Sequence, residues 1–280
     1  MNTRTDLAVE SFSEGFSENV HINKREGIFS VTEIILDDDS YIETIGKSKG
    51  HYVTLENQNM ADFSDEYEKM ITEIAGEIKK FVPEGDILVV GLGNRDITPD
   101  ALGAMVSAKI IATRHLEKEL KNNTDNFLKS LRRVSTFAGG VLGQTGIETA
   151  EIIRAVCNEI KPAGIIAVDA LACADVSRLG TTIQISDSGI SPGSGVANAR
   201  KELSEKVMGI PVTAIGVPTV IDVRTIIKNF TDHEPENIPD MMVTSREIDR
   251  LIERTAQLIA YGINLALQPT LTVEDICGLF

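Results

Sequence analysis

At 280 residues with 42% hydrophobic content, the chain is long enough for one large α/β domain or two modest ones, with a sizeable buried core. A formal charge of −15, from 42 acidic and 27 basic residues, repels nucleic acid and anionic membranes, so direct nucleic-acid binding is not expected and neutral or basic partners are favoured. No apolar run approaches the roughly 20 residues that cross a bilayer, and the start, MNTRTDLAVESFSEG, lacks the basic flank and apolar stretch of a signal peptide, which together predict a cytoplasmic protein away from membranes.

Residues 1–48 are polar, with few periodic apolar positions and an acidic knot at Asp37, Asp38 and Asp39, and read as an N-terminal arm or edge hairpin. A single α/β domain is expected over residues 49–280, opening with the strand HYVTLE. Ser64 then caps a helix whose inward stripe is Tyr67, Met70, Ile71, Ile74, Ile78 and Phe81, ended by Pro83 and Gly85. DILVVGLG (86–93) is a continuous apolar run ending in glycines, as expected of a central parallel strand covered on both faces. Thr98 as N-cap, Pro99 in the first helical position and Asp100 in the first turn open a helix predicted to run to about His115.

STFAGG reads as the next strand and Ile147 to Ile160 as the next helix. GIIAVDALA (164–172), TTIQIS (181–186) and VTAIGVPT (212–219) read as three further strands. Thr244 and Glu247 have capping-box spacing before a helix that turns Ile248, Leu251, Ile252, Ile259 and Ile263 inward. This alternation predicts a three-layer α/β sandwich around a mostly parallel central sheet.

In such sheets, sites gather beyond the carboxyl ends of the strands, which selects GLGNRDITPDALG, Asp169 in VDALA, and Thr219 to Asp222 in VPTVID. A carboxylate inside IIAVDALA is costly to desolvate and demands compensation, whereas Asp100 at a helix start is favoured by the free N–H groups there. If the two strands are neighbours, Asp100 and Asp169 reach one rim and can hold a proton between them, an arrangement suited to peptide or amide hydrolysis. A plain helix-start charge at Asp100 and a satisfied strand-end acceptor at Asp169 remain open alternatives.

Other chemistries have weaker signatures. GLGN gives the pattern GxGxxD, which lacks the third glycine of the dinucleotide fingerprint and places Asp96 where phosphate would lie. Cys157, Cys173 and Cys277 are isolated, the four histidines have no HExxH spacing, and no GxSxG elbow occurs, so neither metal nor cofactor is called for. SDSGISPGSGVANARK (186–201) reads as a long loop beside the rim.

The segments RTDLAVE, GHYVTLE, VVGLGNRDITPDALG, TRHL, GQTGIETAEII, VDALA, TTIQISDSGISPGSGVANARKELS and IGVPTVID occur in that order between Arg4 and Leu267 and resemble the spore germination protease family. The resemblance implies an endopeptidase that degrades small acid-soluble spore proteins in the forespore or spore core, with a fold shared with the peptidases that mature nickel hydrogenases. It implies that Asp100 and Asp169 are the catalytic pair, with Asn94, Asp187 and Asn198 as substrate-binding candidates. It further implies a self-processing zymogen cut between Asp6 and Leu7, and a homotetramer. Longer family members carry an extra segment between the strand ending near Thr219 and the final helix, where this chain is short. Two rival readings are a metal-dependent maturation-type peptidase, with His115 as a third ligand beside the two aspartates, and a non-enzymatic nucleotide or phosphate binder using GLGN.

Overall fold

The structure, a computed structural model, describes residues 5–12, 19–62, 65–116, 126–191, 201–231 and 238–280. The expected cap Ser64, the binding candidate Asn198 and most of the 186–201 loop lie outside the described residues.

Nine strands form one sheet among the described residues. They are β1 (Val20–Glu26), β2 (Ser30–Leu36), β3 (Gly50–Glu56), β4 (Ile87–Gly91), β5 (Val134–Ala138), β6 (Gly164–Cys173), β7 (Thr182–Ser186), β8 (Val212–Asp222) and β9 (Met242–Val243). The order is β1-β2-β3-β7-β8-β6-β4-β5, and β9 pairs with the end of β8. The expectation of a mostly parallel sheet is corrected, because the sheet is mixed: β5, β4, β6 and β8 run parallel, while β1, β2, β3 and β7 pair antiparallel. The cause is loop length, since the link from Cys173 to Thr182 is too short for a crossover helix and β7 has to return the opposite way. The β1–β2 hairpin then continues the same sheet through β3, which pairs with β7 from Tyr52↔Ser186 to Glu56↔Thr182.

Helices cover both faces. On one, α1 (Tyr67–Lys79), α2 (Leu102–Ser107), α5 (Ile248–Leu267) and α6 (Val273–Cys277) pack Met70, Ile71, Leu102, Leu258 and Ile276 against Val89, Ile166, Val168 and Ile185. On the other, α3 (Thr149–Ile160) sets Ala150 and Ile153 on Leu88, Val90, Ile165 and Ala167. Strand alternation thus assigns even-numbered residues of β6 to the first face and odd-numbered ones, Asp169 included, to the second. The N-terminal arm also covers that second face, where Ala8 and Phe12 pack on Ile34, Leu36 and Tyr52, and Leu7 packs on Leu171, Cys173 and Ile221. Among the described residues no helix is long and apolar enough to cross a membrane.

Two helix starts differ from expectation. The segment after β4 forms a 3-10 turn at Thr98–Asp100 and then only the six-residue α2, because tertiary partners capture the backbone beyond it. Ile111 N–H donates to Asn264 Oδ1 and Thr113 N–H to the Val134 carbonyl, so neither closes a helical turn. Thr98 does not cap through its side chain, and Ile97 stands at the N-cap. At α5 the expected capping box does not form, since Thr244 Oγ1 donates instead to the Thr219 carbonyl and Glu247 occupies the N-cap.

Candidate active site

The loop after β4 runs straight over the end of β6. Leu92 N–H donates to the Val168 carbonyl at 2.8 Å, which extends the β4–β6 ladder by one bond. The chain turns at Gly93 (φ +91°) and comes back as Thr98–Asp100. A Cβ at Gly93 would lie 2.1 Å from the Asp100 carbonyl, so no other residue fits. One turn on, a Cβ at Gly103 would lie 2.2 Å from the carbonyl of Val168, so α2 presses directly on the peptide that joins Val168 to Asp169. Thr219 Oγ1, from β8, donates to the Pro99 carbonyl at 2.7 Å and fixes the turn from the other side.

Asp100 and Asp169 therefore stand toward the carboxyl rim of adjacent parallel strands. Asp100 Oδ2 accepts from Asn94 N–H at 2.8 Å, and Asp169 Oδ1 accepts from Ala170 N–H at 2.9 Å. Asp169 is 4% exposed and lies within β6, which continues to Cys173. Asn94 belongs to the same cluster, and its Oδ1 accepts from Gln144 Nε2 at 2.7 Å, which draws in the loop that follows β5.

The remaining candidates lie elsewhere. Asp187 follows β7, whose antiparallel course carries its end away from the rim, and Asp187 Oδ1 accepts from His51 N–H at 2.7 Å. Asp222 caps α4 (Val223–Phe230) by accepting from Arg224 N–H. His115 is exposed near the start of β5, where Thr113 N–H and Arg114 N–H meet the Val134 carbonyl, at the sheet end opposite to Asp100. The metal reading thereby loses its named third ligand. The GLGN amide that a phosphate would use is taken by the Asp100 carboxylate, which removes the geometric basis of the nucleotide reading. Burial pushes the Cys173 thiol up to about 12 and raises those of Cys157 and Cys277, the reverse of what a thiolate nucleophile requires.

Asp6 and Leu7 are seated firmly on the second face. Asp6 N–H donates to the Ala172 carbonyl, and Ala172 N–H returns a bond to Asp6 Oδ2 at 2.8 Å. The Asp6 carbonyl accepts from Lys47 Nζ at 2.6 Å and Gln184 Nε2 at 3.1 Å, while Gln184 Oε1 accepts from Ala8 N–H at 2.6 Å. Gln184, Gly216 and Asp169 form one row across β7, β8 and β6, so the Gln184 and Asp169 backbones are about 10 Å apart. Gln184 was passed over in the sequence, where its one signal is a polar residue inside the strand TTIQIS, and nothing in the sequence around Lys47 marks it for this role.

Comparison with known proteins agrees along nearly the whole chain. The sequence model of the family described as germination protease matches residues 4–234. The chain is 39% identical to the germination protease of Clostridium tetani, across 99% of this chain and 98% of that protein. It is 37% identical to that of Clostridium acetobutylicum (98% of each) and 38% identical to that of Bacillus velezensis, covering 98% of this chain but 76% of the relative. The alignment with the Clostridium tetani protein spans 321 positions, more than this chain has residues, so that relative carries additional sequence inside the matched region.

Proposed function

Because the chain belongs to the germination protease family, we propose that it is an endopeptidase that hydrolyses small acid-soluble spore proteins during germination, with Asp100 and Asp169 as its catalytic pair. The observation that best supports this pair is the contact of α2 with the Val168–Asp169 peptide, which ties the helix start carrying Asp100 to the strand carrying Asp169. In this reading one carboxylate is ionised and takes a proton from the attacking water, while the other is protonated and gives its proton to the leaving amine. Neighbouring carboxylates favour such a division because both cannot ionise cheaply. Asn94 and Gln144, at the same rim, are placed to meet the main chain of a bound peptide. No cofactor enters the reaction.

The protein acts in the forespore or spore core, as a homotetramer, and is made as a zymogen that cuts itself between Asp6 and Leu7. Leu7 is fully buried and the Asp6 carbonyl is occupied by Lys47 and Gln184, so self-cleavage requires the arm to leave its seat first.

The test is digestion of a purified small acid-soluble spore protein by the wild type and by Asp100→Asn and Asp169→Asn. Each variant is expected to lose cleavage by at least a thousandfold with its circular dichroism unchanged, and EDTA is expected to leave the wild type active. Cleavage retained by either variant overturns the assignment of the pair.

A further inference from the structure

The loops after β4 and β5 leave the sheet side by side, because Gly91 and Ala138 end the two strands in register. One side chain joins them. Gln144 stands in the helical turn Leu142–Thr145, and its Nε2 donates to Asn94 Oδ1 at 2.7 Å and to Asp96 Oδ2 at 3.2 Å. Its Oε1 accepts from Val141 N–H at 3.3 Å, at the start of its own turn. The amide can sit only this way round, since the reverse would set its oxygen against the Asp96 carboxylate and its nitrogen against an N–H.

These contacts lead to Asp100. Asn94 Oδ1 also accepts from Asp96 N–H at 3.0 Å, and the Asn94 carbonyl accepts from Ile97 N–H at 3.1 Å. The backbone N–H of the same residue is the group that meets Asp100 Oδ2. The peptide that carries this N–H begins at Gly93 (φ +91°), and a glycine imposes little torsional preference of its own. The direction of the N–H therefore depends on what holds the Asn94 side chain, and Gln144 holds it from the loop of a different strand.

That loop is shaped to deliver the amide. A Cβ at Gly140 (φ +69°) would lie 2.7 Å from Gln144 Oε1, so the close approach needs glycine there. Thr149, buried at the start of α3, donates from Oγ1 to the Gly140 carbonyl at 3.3 Å and ties the base of the loop to the helix. Gln144 itself is exposed, and a hydrogen bond adds only about 1 kcal/mol to stability. What its convergent bonds fix is the place of Asn94.

We propose that Gln144 is a positioning residue that acts through Asn94, aiming the backbone N–H that holds the Asp100 carboxylate. The same amide keeps the Asp96 carboxylate, a second negative charge on this loop, engaged with a donor. Without the tie the loop relaxes about Gly93, and Asp100 loses its fixed direction. The consequence for turnover rests on the peptidase reading above, in which Asp100 is catalytic.

Gln144→Met keeps the length of the side chain and removes its donors and its acceptor. With a purified small acid-soluble spore protein as substrate, it is expected to lower kcat about tenfold or more while KM changes less than about threefold. Gln144→Glu keeps size and polarity but cannot donate, and is expected to fall at least as far. Asn94→Ala removes the side chain and keeps the backbone N–H, and in that background Gln144→Met should have no further effect. A loss confined to KM, or an undiminished effect beside Asn94→Ala, places Gln144 on the substrate instead and overturns the proposal, as does wild-type kcat in Gln144→Met. A second readout needs no turnover: the Asn94 amide signal in proton–nitrogen correlation spectra of the full-length chain. Asp100→Asn is expected to move this signal upfield by removing a charged acceptor. Gln144→Met is expected to move it the same way while the amides of β4 and β6 stay in place. An Asn94 signal that Gln144→Met leaves unmoved overturns the proposal whatever the kinetics. If the wild type cuts no spore protein and the signal still moves, the positioning of Asp100 is upheld and the peptidase reading alone is sunk.

Discussion

The backbone N–H of Asn94 donates to Oδ2 of Asp100 across 2.8 Å, closing the loop after β4 onto the turn that begins α2. Because Gly93 leaves no room for a Cβ beneath the Asp100 carbonyl, Gly93→Ala is expected to shift the carboxylate and lower kcat/KM at least a hundredfold. Gly103→Ala pushes α2 away from Val168 and is expected to destabilise the fold by about 3 kcal/mol. Urea unfolding alongside peptide cleavage distinguishes the two, since the first acts mainly on activity and the second on both.

Thr219→Val removes the only side-chain bond described for the Pro99 carbonyl while keeping the shape of the side chain. The expected cost is about 1 kcal/mol of stability, together with a fall in kcat that exceeds any change in KM. A variant with wild-type kcat would show that the turn holds Asp100 without help from β8.

Asn264 is 1% exposed on α5 and bonds both Ile111 N–H and the Lys109 carbonyl, the groups left over where α2 ends. Asn264→Ala removes the side-chain partner of one half-buried donor and one half-buried acceptor, for an expected loss of roughly 1 to 3 kcal/mol measured by urea or thermal unfolding.

Burial pushes the Tyr52 hydroxyl, which donates to the Ser48 carbonyl, up to about 12 from its ordinary value near 10. A phenol whose pKa is raised by folding contributes stability that is complete below pH 10 and is lost as pH climbs through 12. Tyr52→Phe is expected to flatten the decline in unfolding free energy between pH 10 and 12 by up to about 3 kcal/mol. An equally steep decline in the variant would place the proton release elsewhere.

The parts of this protein that could be read from sequence are those set by local chemistry. The apolar run before Gly91 and the one ending at Asp169 became adjacent parallel strands, because runs of that kind can only be covered on both sides. The sheet's mixed character was not legible, since the direction of β7 depends on how the chain returns from Cys173 and on pairing with residues 130 positions upstream. Helix α2 was overextended for a related reason: its period continues past Ser107, but Asn264 and Val134, distant in sequence, compete for the donors that would have continued it. Asp169 could be singled out because a carboxylate inside an apolar run is conspicuous, and Asp100 because it opens a helical segment just beyond a strand end. Lys47 could not, because a charged residue in a polar stretch looks solvated until the fold surrounds it.

The pairing of β3 with β7 and the seating of the arm on Ala172 and Gln184 also set a timetable. Asp6, Leu7 and β3 are made before β6 and β7, which pair with them only after more than a hundred further residues. Through that interval the part of the seat made by Leu171, Ala172 and Gln184 is missing, and Asp6 and Leu7 are open to any peptidase nearby. Arrival of β6 and β7 ends that exposure, so completion of the sheet, and not synthesis of the arm, is the event that shelters this bond.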